Sequence, residues 1–201
     1  MNHFQKIFTF FSILCFISGM NLSYAQQNDG GAFGAPVIKF SSMAGQNAIL
    51  SGGRFGWVIN KNIVLGGGFY ALVNKVKTNI VDPLSGQEVL LGFNCGGLEI
   101  EYIFFPDSKI HASFDMFLAG AGDTFSVRDK SVPHTSYYSQ DLLLWEPQIN
   151  LEFEAADWLH MDAGVSYRIV TGYDITNGIS RDDLKGISAL LTFKFGRYFN
   201  F

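Results

Sequence analysis

The chain has 201 residues and a formal net charge of −4; 16% of its residues are charged and 15% aromatic, with 20 Phe and 22 Gly. The charged share is below the roughly 25% of ordinary globular proteins, and so apolar a composition excludes intrinsic disorder. No basic cluster is present, which argues against a nucleic-acid partner.

The first residues combine a basic start with Lys6, an apolar core over Ile7–Met20 and a small-x-small triplet, Ser23-Tyr24-Ala25. This pattern predicts a secretory signal over residues 1–25, cleaved after Ala25. An uncleaved anchor is the alternative, but the apolar core is short against the about 20 residues a membrane helix needs. Cys15 follows Leu14 rather than a small residue, so no lipoprotein site is expected. Cleavage leaves Cys95 as the remaining cysteine, which excludes an intramolecular disulfide and a cysteine-rich zinc knuckle. No later apolar run reaches the length of a membrane helix.

Residues 26–31 read as a short polar periplasmic leader. From residue 32 to 201 the dominant hydrophobic period is two, the strand signal. Eight segments follow in order, about 32–41, 47–59, 63–74, 93–105, 109–126, 141–154, 158–172 and 184–201. Three connections are tight: 60–62, 106–108 and 155–157. Three are longer and polar: 75–92, 127–140 and 173–183. The longer ones contain Asp82-Pro83, Ser85-Gly86, Val132-Pro133 and Asn177-Gly178, all turn chemistry. The connection 42–46 is short and departs from the alternation.

An even number of strands with alternating short and long connections predicts an all-β, eight-stranded antiparallel up-and-down transmembrane β-barrel. The faces support it. In 158–172, Leu159, Met161, Ala163, Val165, Tyr167 and Ile169 oppose His160, Asp162, Gly164, Ser166 and Arg168. In 141–154, Leu143, Trp145, Ile149, Leu151 and Phe153 oppose Glu146, Gln148, Asn150, Glu152 and Glu154. The same division separates Ile110, Phe114 and Met116 from His111, Ser113 and Asp115, and Leu98, Ile100 and Tyr102 from Glu99 and Glu101. In the last segment it separates Ile187, Leu191, Phe193 and Phe195 from Ser188, Thr192 and Lys194. An Arg or Lys facing lipid at mid-bilayer costs about 2–4 kcal/mol. In a membrane the polar set must therefore point inward.

A soluble sandwich or lipocalin-like barrel is the competing reading, but the large apolar set would overfill an eight-stranded interior. The expected lumen charge network is Arg54, Glu99, Glu101, Asp115, Glu146, Glu152, Asp162, Arg168 and Lys194, with Lys39 beside it. Trp57, Trp158 and Tyr102 near short turns, and Trp145 and Tyr167 nearer long loops, are expected to form interface girdles. The stretch GGGFYA at 66–71 matches G-x-G-x-x-A, but it lies within a strand and carries no nucleotide site.

With its signal, eight segments, tight turns and aromatic last strand, the chain resembles the small eight-stranded outer-membrane barrels called OmpA-like or OmpX-like. It is most similar to the outer membrane protein beta-barrel family of Bacteroidota-type bacteria, whose glycine-rich early strands look like GAFGAPVIKF and LSGGRFGWVINKNIVLGGGFYALV. The resemblance implies export, signal cleavage near Ala25, and residence in the outer membrane of a Gram-negative bacterium. Outer-membrane lipid and the barrel-assembly machinery would be the partners, and the extracellular ligand is open. It also implies that the last strand carries the assembly signal, here Phe193, Phe195, Phe199 and Phe201; Arg197 departs from that pattern.

No H-E-x-x-H, G-x-S-x-G or C-x-x-C pattern is present, and no catalytic, cofactor-binding or metal-ligating set is assigned. His111, Ser113 and Asp115 share a face, as do His160 and Asp162, but residues two apart on one strand run in parallel and do not converge. The expectation is a structural or surface-interaction barrel with no enzymatic activity. A narrow passive pore and a lipid-modifying enzyme are the alternatives. Deleting Phe201 should lower the membrane-inserted, heat-modifiable fraction in cells, which a gel of unheated outer-membrane extract reads directly.

Overall fold

The computed structural model describes residues 30–81, 86, 88–126, 136–172 and 180–197. The signal segment, most of the leader, His134, Phe199 and Phe201 lie outside these.

Nine strands are present among the described residues: β1 (Ala32–Met43), β2 (Gln46–Ile59), β3 (Ile63–Leu72), β4 (Val76–Val81), β5 (Glu88–Phe104), β6 (Ile110–Ser126), β7 (Ser136–Ala156), β8 (Leu159–Thr171) and β9 (Gly186–Arg197). A four-residue helix, α1 (Arg181–Leu184), precedes β9. Every strand pairs antiparallel with its neighbours, and β3 and β4 both pair with β5, so they form one wall position. β9 returns to β1, from Ala32↔Arg197 to Phe40↔Ala189, and closes an eight-position barrel.

The division of β3 from β4 has a local cause. After Leu72 the backbone turns out of register, and the Asn74 side chain takes its place against β2. Its Oδ1 accepts from Ile49 N at 2.7 Å and its Nδ2 donates to Asn47 O at 2.7 Å. The ladder also lapses beside two prolines. Recorded pairs skip Ala35 and Pro36 on the β1–β9 seam, and Glu146 and Pro147 between β7 and β8. A proline nitrogen has no hydrogen to donate.

Tight turns join β2 to β3, β5 to β6 and β7 to β8 at the end where β1 begins and β9 ends. The β1–β2 hairpin at the opposite, loop end turns through Ala44 and Gly45, both at positive φ (49° and 70°), the geometry of a two-residue hairpin.

Three boundaries differ from the sequence reading. The segment 75–92 contains β4 and the start of β5, β7 begins at Ser136 rather than 141, and 173–183 contains most of α1. Their polarity and the turn pairs Asp82-Pro83, Ser85-Gly86 and Val132-Pro133 had marked the first two as loops. Past the apolar belt, a strand can turn polar residues outward and still pair.

Alternation divides inside from outside as the pattern required. Leu98, Ile100, Tyr102, Ile149, Leu151, Phe153, Val165 and Ile187 are exposed, while Glu99, Glu101, Asp115, Glu152, Asp162 and Lys194 are at most 2% exposed. Tight approach between walls depends on glycine. A Cβ on Gly97 of β5 would be driven into the Leu118 carbonyl and the Ala119 backbone of β6. Gly120 of β6 has no atom within 4 Å of its would-be Cβ. Gly97→Ala should therefore destabilise the barrel by about 1–3 kcal/mol and Gly120→Ala should be near neutral, as read by urea midpoints in detergent micelles.

Candidate functional site inside the barrel

The inward residues form two tiers. Toward the short turns the interior is charged, beside a small buried apolar cluster of Phe33, Ala35, Val58, Val64 and Ile103. Arg54 of β2 lies 2.7 Å from Glu99, 2.9 Å from Glu101 and 2.9 Å from Asp115, tying β2 across β5 to β6. Lys194 of β9 lies 3.1 Å from Glu101 and 2.9 Å from Asp162, and it also holds Glu152. Glu101 is shared by the two cations, so the pairs merge into one network spanning six strands. Charge-assisted bonds in such a low-dielectric site are individually strong, and each unpaired member is correspondingly costly.

Midway along the barrel, Lys39 donates to Glu146 at 2.8 Å, and Ser166 donates to the same carboxylate at 2.6 Å. The Lys39 ammonium also sits 4.0 Å from the centroid of the Tyr70 ring, whose hydroxyl donates to Glu99 at 2.6 Å. The lumen-facing positions expected from the sequence thus meet through Lys39 and Tyr70, neither of which alternation alone ties to a partner.

The upper tier was not anticipated. Toward the loops the inward residues turn apolar: Val37, Leu50, Leu91, Phe93, Phe117, Leu144 and Val170 are all buried in one cluster. Cys95 belongs to it and is a free, buried thiol. Leu184 of α1 is fully buried against the same cluster. Arg168 fastens it there, donating from Nε to Leu184 O at 2.6 Å and from Nη2 to Ser42 O at 3.1 Å. Among the described residues the hydrogen bonds of Arg168 go to backbone carbonyls and to Ser41, at the loop end. A second backbone bond, Ala44 N to Asp183 O at 2.7 Å, fixes α1 to the β1–β2 hairpin. On the outer side of α1, the hydrogen bond from Lys185 at 2.7 Å, and then its charge, holds the exposed Asp182 carboxyl below its usual range. A continuous inward alternation hid this tier, because inward Val and Leu carry no polar marker.

His111, Ser113 and Asp115 do not assemble as a catalytic set. Asp115 is committed to Arg54, Asn150 donates to Ser113 at 3.3 Å, and His111 turns to the Ser108 carbonyl and to Glu152. The aromatic residues singled out for the girdles are on the outside. Trp57 and Trp158 are 54% and 58% exposed; Trp158 stacks on Phe195 with centroids 6.2 Å apart. Trp145, Tyr102 and Tyr167 are also exposed. Phe195 is exposed and Phe193 partly so, on the outer face of β9.

Closed by the β1–β9 ladder, apolar outside and charged within, this is an eight-stranded barrel of the small outer-membrane type. Among solved structures it is similar to the Neisserial surface protein A, at a TM-score of 0.57 and 12% identity, over 85% of this chain and 97% of that one. It is also similar to the N-terminal β-barrel domain of Pseudomonas aeruginosa OprF (0.54, 12%, 85% and 99%) and to Ail, the attachment invasion locus protein of Yersinia pestis (0.50, 10%, 86% and 100%). At these identities what is shared is the fold. No protein-family model matches the chain, and no curated protein matches it.

Removing one partner of a buried ion network leaves the others uncompensated, at about 3–5 kcal/mol. Lys194→Met should thus lower stability by that order and reduce the folded yield. Lys61→Met, which breaks a partly exposed pair with Asp107 at 3.1 Å, should change it by no more than about 0.5 kcal/mol. Chemical denaturation of both variants in one detergent makes the comparison.

Proposed function

We propose that the chain is an integral outer-membrane protein whose interior is closed by a charged tier and an apolar tier, and whose role is structural or surface-interacting rather than catalytic. The observation that carries this reading is the inversion of the barrel. Large apolar side chains such as Phe69 (64% exposed), Leu98 (55%) and Ile149 (61%) cover the outer face of the wall, while Arg54, Lys194 and their carboxylates lie inside. Exposed to water, that outer surface would far exceed the few-hundred-Å² apolar patches soluble monomers carry. Against acyl chains it is at no disadvantage.

The aromatic residues on the outer wall suit the two interfaces of a bilayer. The export signal read from residues 1–25 and the aromatic last strand supply the route to that membrane, with Phe193, Phe195, Phe199 and Phe201 engaging the assembly machinery. Loops at the α1 end face the cell exterior and are the surface through which a partner would be met. The tiers inside leave transport through the lumen without a path.

The chain should fractionate with outer membranes as a heat-modifiable, β-rich species. In planar bilayers the purified protein should give no stable conductance steps. Recovery as a soluble periplasmic protein would overturn the membrane assignment, and reproducible single-channel steps would overturn the closed interior.

A further inference from the structure

At the short-turn end of the interior, three side chains from adjacent strands converge: His111 of β6, Glu152 of β7 and His160 of β8. The ladders set this up. His111 lies directly across from Glu152, and His160 lies across from Glu154, one inward position along β7. Their ligand atoms all fall within 4.8 Å of one another, and all three residues are buried.

The hydrogen bond to Ser108 fixes one proton. His111 Nδ1 lies 3.0 Å from the Ser108 carbonyl, which can only accept, so Nδ1 carries hydrogen. Nε2 of the neutral ring then presents a lone pair. It is buried without a hydrogen bond and points at Glu152 Oε1, 3.4 Å away. On the neutral ring a cation between the lone pair and the carboxylate oxygen reconciles the two; on the protonated ring an N–H directed at Glu152 does the same. His160 Nδ1 approaches the same oxygen at 2.8 Å.

A second observation is independent of the imidazoles. In the lower tier five carboxylates, Glu99, Glu101, Asp115, Glu152 and Asp162, contact Arg54 and Lys194 as their only Arg or Lys partners among the ion pairs of the described residues. The neighbouring acidic trio of Glu101, Glu152 and Asp162 already holds its cation, the Lys194 ammonium. In the His111–Glu152–His160 trio, Lys194 takes Glu152 Oε2 and leaves Oε1 to the two imidazoles.

We propose that His111 Nε2, His160 Nδ1 and Glu152 Oε1 form a binding site for a first-row divalent transition metal of the Zn²⁺ class. Two imidazoles and one carboxylate are a ligand set zinc accepts, with water at the fourth position. Bonds of about 2.0–2.2 Å at tetrahedral angles place ligand atoms about 3.4 Å apart, so Glu152 and His160, now at 2.8 Å, need to separate by about 0.6 Å. His160 binds in the tautomer with its proton on Nε2, freeing the Nδ1 lone pair. The Ser108 carbonyl orients His111 from behind, as second-sphere acceptors do. Lys194 stays on the other oxygen of Glu152. The ion joins three strands where the tight turns end, and it adds positive charge to an interior rich in carboxylates.

The test uses the full mature protein in detergent, stripped with chelator and titrated with ZnCl₂ or CoCl₂ alone. One equivalent of zinc should be retained after desalting, as counted by elemental analysis. The unfolding midpoint should rise with free zinc concentration. Bound Co²⁺ should give the intense visible bands of four-coordinate geometry. His111→Gln and His160→Gln should each weaken binding at least tenfold, while His134→Gln should leave it unchanged. Co²⁺ spectra of the unsubstituted chain keep the test open should either variant fail to fold. A folded, unsubstituted protein that retains no zinc and shows no midpoint shift would overturn the site. So would full binding by folded His111→Gln and His160→Gln.

Discussion

Once β9 pairs with β1, the sheet closes on itself and has an inside and an outside, and every alternate residue must choose between them. This closure governs the rest of the structure. A slip of one residue in any ladder would carry that strand's whole inward set outside, delivering Glu99 and Glu101, or His160 and Asp162, to the apolar surface. The interior charges are thus both a consequence of closure and a check on its register. Arg54 reaches carboxylates on β5 and β6, and Lys194 reaches β5, β7 and β8. The two cations read the alignment of strands far apart in the chain.

Buried ion pairs are often no better for stability than apolar packing of the same volume, because desolvation offsets much of the attraction. The upper tier, with Phe93, Phe117 and Leu144, is the apolar solution in the same barrel. The two coexist along one lumen. We read the division as one of roles: the apolar tier and Leu184 seal the loop end, while the charged tier fixes registry near the turns where the chain closes. Arg168 belongs to the seal. Its guanidinium holds α1 by backbone carbonyls, so the helix over the mouth is tied to the wall by hydrogen bonds rather than by ion pairing.

Much of the fold was legible because a period of two is the strongest signal a half-buried strand leaves. Residues 159–169 alternate without a break, and the structure follows them position by position. The alternation failed where polarity stopped marking the faces. Val37, Leu91 and Val170 point inward beside equally apolar outward neighbours, so the upper tier had no contrast to read. Strand ends were misplaced at Glu88 and Ser136 for the opposite reason: polar residues on paired strand extensions look like loop. The break at Asn74 depends on a side chain replacing a ladder bond, a tertiary event that the local sequence does not encode. The convergence of His111 with Glu152 and His160 likewise rests on register between β6, β7 and β8. The numbers 111, 152 and 160 follow no ligand spacing that a motif would catch.

The central claim is that the outer face of this barrel meets acyl chains. Spin labels placed one at a time at Ile100, Ile149 and Leu191, in a chain carrying Cys95→Ala and reconstituted into phospholipid vesicles, measure it without disturbing the interior. All three side chains are exposed on the outer wall, on β5, β7 and β9. The account predicts relaxation by dissolved oxygen well above that by a water-soluble nickel chelate at every position. Equal or greater access for the nickel chelate would contradict it.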